Sequence, residues 1–182
     1  MTRHNIILPL LFAMLFCLSC GKESEQNVYD SQETVIENFI NARQAESESE
    51  LRTVYNDGSA RVVMAEGEGR ELGENGTAVI YYAGYVLKGQ GLSAADMFWT
   101  NHYETAAASG WAISDESAFE PASVDTGDSR LVTGLRNGLK GVKGGEECYI
   151  LFSGKYGFGN SDVGTIPAKS ALVFHVWVEE IL

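Results

Sequence analysis

Residues 130–182 read RLVTGLRNGLKGVKGGEECYILFSGKYGFGNSDVGTIPAKSALVFHVWVEEIL. Val132, Leu135 and Leu139 recur at helical spacing, which predicts a short helix from about Leu131 to Leu139. Gly134 and Gly138 fall inside it, and each weakens a helix by roughly 1 kcal/mol relative to Ala. Such a helix depends on packing under a curved sheet. A Gly144-Gly145 turn follows, then the apolar strand Cys148-Tyr-Ile-Leu-Phe152 and a Gly-rich loop closing at Ile166-Pro167. In the last strand Leu172, Phe174, Val176 and Val178 alternate, as they do when one face of a sheet is buried.

Upstream, Thr77–Val86 is a strand rich in β-branched and aromatic residues. Asn56-Asp57-Gly58-Ser59 lies between the apolar runs 51–55 and 60–64, a hairpin signal because Gly accepts positive φ at little cost. Turns are expected at Glu66–Gly69 and Gly73–Gly76. Val35, Ile36, Phe39 and Ile40 make one apolar helical face after the cap-like Ser31, whereas residues 21–31 are polar and read as a tether. Residues 88–118 carry the weakest pattern, a long loop with a helical turn between Glu104 and Ser109. No internal repeat is present. The fold class expected is α+β: a curved antiparallel β-sheet wrapped around a short α-helix, with an N-terminal helix and tether.

Arg3 and His4 precede the apolar run 6–16, which ends at Cys17-Leu-Ser-Cys20. A short basic segment, an apolar run and a Cys after a small residue resemble the lipobox of bacterial lipoproteins. That resemblance implies a signal peptide over 1–19, lipidation at Cys20, and a lipid-anchored tether with a short helix over 20–50, ahead of a domain over 51–182. Localisation would be the outer membrane of a Gram-negative cell, facing the periplasm or the cell surface. The net charge of −12 disfavours nucleic acid, whose phosphates demand clustered Lys and Arg. His4, His102 and His175 have no second ligand at metal spacing, and no Gly-x-Ser-x-Gly elbow occurs. Asp125-Thr-Gly-Asp128 reads as a turn. Glu146-Glu147 and Glu179-Glu180 read as solvated charges, and Cys148 as a buried small hydrophobe.

Over residues 60–182 the motifs Tyr81-Tyr82-Ala83-Gly84, Val132-x-Gly134-Leu135-x-x-Gly138, Gly144-Gly145-Glu146, Tyr156-Gly157-Phe158-Gly159, Ile166-Pro167 and Leu172-Val-Phe174 occur in one order. That order resembles the FKBP-type peptidyl-prolyl cis-trans isomerases. The resemblance implies an apolar pocket with Tyr82, Phe98 and Phe174 as walls, Leu135 as floor, Val132 as a backbone donor, and Phe158 and Ile166 from the loop. It implies proline-containing polypeptides as partners and no cofactor. Four positions depart from the family pattern. Trp99 replaces the usual acid, Leu135 the common floor Trp, Phe158 the loop tyrosine, and Ala122 a further wall aromatic. The loop from Phe98 to Pro121 is longer than in a minimal family domain and long enough to cover the pocket. The activity implied is proline isomerisation, in weakened form. The alternatives are a non-catalytic peptide-binding or chaperone lipoprotein, or a surface lipoprotein reusing the fold for a host or glycan ligand.

Overall fold

In a computed structural model, the backbone is described for residues 7–113, 115 and 119–182, and the side chains from residue 23 onward. Lipidation at Cys20 and the leader therefore lie outside the described side chains. The chain opens with helix α1 (Ile7–Glu46). The strands follow as β1 (Arg52–Asn56), β2 (Ser59–Ala65), β3 (Thr77–Val86), β4 (Met97–Thr100), β5 (Ala122–Asp125), β6 (Glu147–Phe152) and β7 (Leu172–Ile181). Helix α2 (Tyr103–Ala108) lies between β4 and β5, and α3 (Thr133–Leu139) between β5 and β6. Every pairing is antiparallel, in the order β1-β2-β6-β7-β3-β4. β5 shares the outer edge of β3 with β4: β4 takes residues 83–85 and β5 takes 77–80.

The expected elements are present. The Asp57-Gly58 turn has both residues at positive φ (44° and 85°), the geometry of a tight two-residue hairpin. Period-2 alternation divides the sheet into two faces. Ala78, Ile80, Cys148, Ile150, Phe152, Leu172, Phe174, Val176 and Val178 pack with Leu135 and Leu139 of α3 on the concave face. Ala83, Tyr85, Tyr149, Leu151 and Val173 point the other way, where Ile36, Phe39 and Ile40 of α1 cover them. Phe39 meets Tyr149 edge-on at 5.3 Å. Each face of the sheet is thus covered in part by one helix.

The two glycines of α3 are explained by close approach. A Cβ on Gly134 would fall 2.1 Å from the Phe152 ring, and one on Gly138 would fall 2.1 Å from Cγ2 of Ile150. Omitting both side chains lets the helix press directly onto β6, so sheet packing outweighs the loss of helix propensity.

Two expectations are corrected. Residues 21–31 are helical and not an irregular tether. Tyr29 is buried, and one turn further Gln32 binds the domain: its Oε1 accepts from Gly154 N at 2.9 Å and its amide nitrogen donates to Lys169 O. These contacts hold a polar stretch in a helix that its composition alone does not specify. Glu146 is not a solvated charge. Its side chain is fully buried, 3.1 Å from Nε of Arg61, itself 2% exposed. The Arg61 guanidinium also donates to the carbonyls of Gly138 (2.9 Å), Lys140 (2.7 Å) and Gly141 (3.3 Å), satisfying the last turn of α3. Its positive charge sits at the negative end of that helix. Glu147 is only half-exposed and lies 2.8 Å from Nε2 of His175, so it too departs from the reading of a solvated charge, whereas the remaining acidic readings hold. Glu179 and Glu180 are exposed, and Asp125 Oδ1 accepts from Gly127 N at 2.7 Å to close a turn.

Candidate functional site

All seven residues picked out in the sequence lie in or against the concave core. Leu135, Ile166 and Phe174 are buried in the concave core, and Tyr82, Phe98, Val132 and Phe158 pack against it, half-buried. Phe174 is the hub. Phe98 meets it edge-on at 5.7 Å, Tyr82 lies at 6.0 Å and tilted, and Phe152 stacks behind it at 5.9 Å. Aromatic pairs in these geometries contribute about 0.5–1.5 kcal/mol each beyond area burial.

Phe98 owes its place to a β-bulge. Tyr85 pairs with Met97 and Gly84 with Trp99, so Phe98 is the extra residue. A Cβ on Gly84 would lie 2.4 Å from Cζ of Phe98 and 3.2 Å from Cε1 of Phe174. The missing side chain is the space that Phe98 occupies. Trp99, paired with Gly84 and 55% exposed, stands at the outer edge of this cluster.

Val132 is the N-cap of α3, and its carbonyl accepts from Arg136 N at 3.0 Å. Its own N–H donates to no described residue. Burial pushes the Tyr82 phenol above its ordinary value of 10.0, so the hydroxyl stays protonated and able to donate at neutral pH. Gly134 N donates to Tyr156 O at 2.8 Å, joining α3 to the loop that carries Phe158 and Ile166. The Val163–Ile166 bridge turns Ile166 inward, and Gln32 of α1 holds the base of the same loop. Gln32 carries no chemical signature in the sequence. Only its contacts reveal that α1 braces the site.

The long insertion does not lie over the site in its described part. Asn101 is buried and fixes both ends of it. Its Oδ1 accepts from Tyr82 N at 2.6 Å, and its Nδ2 donates to Ile80 O at 3.2 Å and Glu120 O at 3.0 Å. From there the chain turns to the opposite face, where His102 stacks on Trp177 at 3.9 Å. Ala122, the missing wall aromatic, is opposite Ile80 in β5. Cys148 is fully buried, as expected, and burial raises its thiol well beyond the physiological range, so it is no nucleophile. Among the described residues there is no His, Cys, Asp and Glu cluster suited to a metal. Likewise no described helix is long and apolar enough to cross a membrane.

In fold, the chain is similar to the N-terminal domain of FKBP42 from Arabidopsis thaliana (17% identity, 75% of this chain and 94% of that one, TM-score 0.56). It is similar to FkpA from Escherichia coli (18% identity, 100% and 73%, TM-score 0.55). A peptidyl-prolyl cis-trans isomerase from Pseudomonas syringae gives a TM-score of 0.56 at 15% identity over 86% of this chain and 94% of that one. At these identities the likeness is one of fold. No curated protein matches the sequence significantly. Residues 93–179 match the model of the FKBP-type peptidyl-prolyl cis-trans isomerase family. The matched stretch begins just ahead of β4, runs into β7 and takes in Phe98, Val132, Leu135, Phe158, Ile166 and Phe174.

Proposed function

We propose that this chain is a peptidyl-prolyl cis-trans isomerase that works through the aromatic cluster around Phe174, binding X-Pro segments of exported proteins as they fold. The observation that carries the reading is the convergence of Tyr82, Phe98, Val132, Leu135, Phe158, Ile166 and Phe174 from three strands, one helix and one loop. Rotation about an X-Pro bond breaks amide resonance over a barrier of about 18–20 kcal/mol, and the uncatalysed exchange is slow. No nucleophile or metal is required. The twisted amide has lost the charge separation of the planar form, so a water-poor apolar site disfavours it less than the ground state. Phe98, Phe174 and Leu135 supply that surface for the prolyl ring. The Val132 N–H is placed to hold a substrate carbonyl, with the Tyr82 hydroxyl as a second donor.

The departures at Trp99 and Phe158 predict a weak enzyme. Each removes one polar contact, and a hydrogen bond is typically worth about 0.5–1.5 kcal/mol. A contact made mainly in the transition state then accounts for up to about tenfold in rate. Trp99 is exposed and Phe158 half-buried, so both accept polar atoms without disturbing the core. Trp99→Asp combined with Phe158→Tyr is expected to raise kcat/KM about tenfold for a Leu-Pro or Phe-Pro peptide in a coupled isomerisation assay. A double variant slower than a fully active parent overturns the roles assigned to these two positions.

The placement in the cell rests on the leader. A basic start, the apolar run 6–16 and Ser19-Cys20 support lipidation at Cys20 and anchoring at the outer membrane of a Gram-negative cell. Two acyl signals are needed for stable anchoring. Cys20→Ala is expected to move the protein out of the membrane fraction or leave its leader uncleaved. Unchanged fractionation, with no lipid label on the parent protein, rejects the anchor.

A further inference from the structure

On the face of the sheet opposite the isomerase cluster, Tyr81, His102, Tyr103, Glu104, Phe119, Trp177 and Glu179 line a cavity of about 320 Å³. Tyr81 and Tyr82 are successive strand residues, so the two sites are separated by the sheet itself. The Trp177 indole lies against two imidazoles, stacked on His102 at 3.9 Å and tilted to His175 at 3.8 Å. Burial lowers the His175 pKa although the Glu147 carboxylate lies 2.8 Å from its Nε2, so this imidazole is neutral at pH 7 and adds no positive charge. Tyr81 meets His102 edge-on at 5.9 Å, and Tyr103 meets Phe119 edge-on at 5.7 Å. Aromatic rings thus gather with two carboxylates, those of Glu104 and Glu179, at one opening.

Rings with negative quadrupole faces, together with carboxylates, select for a cation. Within the described cavity the one basic group is the His102 imidazole, whose Nε2 lies 3.2 Å from Oε2 of Glu104; Glu179 has no such neighbour among its lining residues. Gly89–Ser129 contains no Lys or Arg but holds Asp96, Glu104, Asp115, Glu116, Glu120, Asp125 and Asp128. Neither does any Lys or Arg line the cavity among the described residues. We infer that this cavity binds a basic side chain, the ammonium of Lys or the guanidinium of Arg, presented by a polypeptide partner. A protonated donor is favoured over a quaternary ammonium because Glu104 and Glu179 accept hydrogen bonds, which a quaternary nitrogen does not donate. The site would give the protein a second hold on a polypeptide. It stands on its own observations and does not require the isomerase centre to be active.

The test is a direct titration of the full-length protein, followed by NMR at the indole N–H of Trp177, assigned from a Trp177→Phe sample. The probes are argininamide, lysinamide, tetramethylammonium and the neutral neopentyl alcohol. Argininamide and lysinamide are expected to give saturable shifts with dissociation constants on the order of millimolar. Tetramethylammonium is expected to bind more weakly, and neopentyl alcohol not at all. Glu104→Gln with Glu179→Gln, both exposed, should weaken argininamide about fivefold. Phe119→Leu should weaken it about threefold while leaving the fold intact. Tetramethylammonium binding best of all reassigns the cavity to quaternary ammonium groups and overturns the side-chain assignment. Equal shifts with the neutral probe, absence of saturation, or charge-neutralised variants that bind as the parent does, each overturn the inference. An inactive isomerase that still binds argininamide separates this result from the function proposed above.

Discussion

Arg61→Leu is expected to cost about 3–5 kcal/mol of folding stability, as removal of one member of a buried ion pair typically does. The substitution leaves Glu146 fully buried without its nearest cation and strips the Gly138, Lys140 and Gly141 carbonyls of their donor. Chemical denaturation of the purified protein reads the loss. A change under 1 kcal/mol would show that the pair is not buried in solution. Glu146→Gln should be milder, because Arg61 keeps its three carbonyls. It should also alter the pH dependence. Desolvation raises the Glu146 carboxyl above its ordinary value of 4.5, outweighing the opposing attraction of Arg61 and Arg52, and neither oxygen has a well-formed hydrogen bond. The native state therefore holds this proton more tightly than the unfolded chain. The associated stability is complete below the unfolded value and is lost as pH rises through the higher folded one. Glu146→Gln has no such loss, so the parent should decline relative to the variant as the pH rises above about 4.5. A constant difference across that rise would mean that the carboxyl titrates normally.

Gly134→Ala sets two physical effects against each other. By helix propensity alone the substitution stabilises α3 by roughly 1 kcal/mol. By packing it places a methyl group 2.1–2.5 Å from three atoms of the buried Phe152 ring. Phe152 cannot yield easily, since it is itself fully buried and stacked on Phe174. The helix must lift instead, and overpacking of this kind typically costs about 1–3 kcal/mol. A lifted helix carries Val132 and Leu135 away from Phe174. In the proposed site that separates the donor from the prolyl surface, so kcat/KM is expected to fall by about tenfold or more, a misplacement effect well within the usual range. A variant of equal or greater stability with unchanged activity would show that α3 does not seat on β6 through this contact.

Where the side-chain period matched one element, the sequence was sufficient. The hairpin at Asp57-Gly58, the strand Thr77–Val86, the short helix at Leu135 and Leu139, and the alternation of Leu172, Phe174 and Val176 all carry local signals. Their joint order named seven candidate residues, all of which lie in or against the concave core. What escaped the sequence were partners far apart in the chain. Nothing local distinguishes Arg61 and Glu146 from surface charges, because charged residues are rarely fully buried. Gln32 and Asn101 act through backbone groups of residues 122 and 19 positions away, respectively, which carry no side-chain signature. The helicity of residues 21–31 rests on Tyr29 and on contacts further along α1, in a segment whose polar composition suggested a tether. The insertion was legible as long, but its direction was not, since a stack of His102 on Trp177 has no periodicity to announce it.

One amide side chain gives that insertion an unusual status. With Asn101 joined to Tyr82 and Ile80 at one end and to Glu120 at the other, the ends of the intervening segment are already clasped together. Loop-closure cost then depends only weakly on what lies between them, about 0.6 kcal/mol for each doubling of length. Evolution, or an engineer, can therefore exchange the chain from 102 to 119 as an interchangeable module. The proposed outer-face site can then diversify while the proposed prolyl site on the inner face is inherited unchanged.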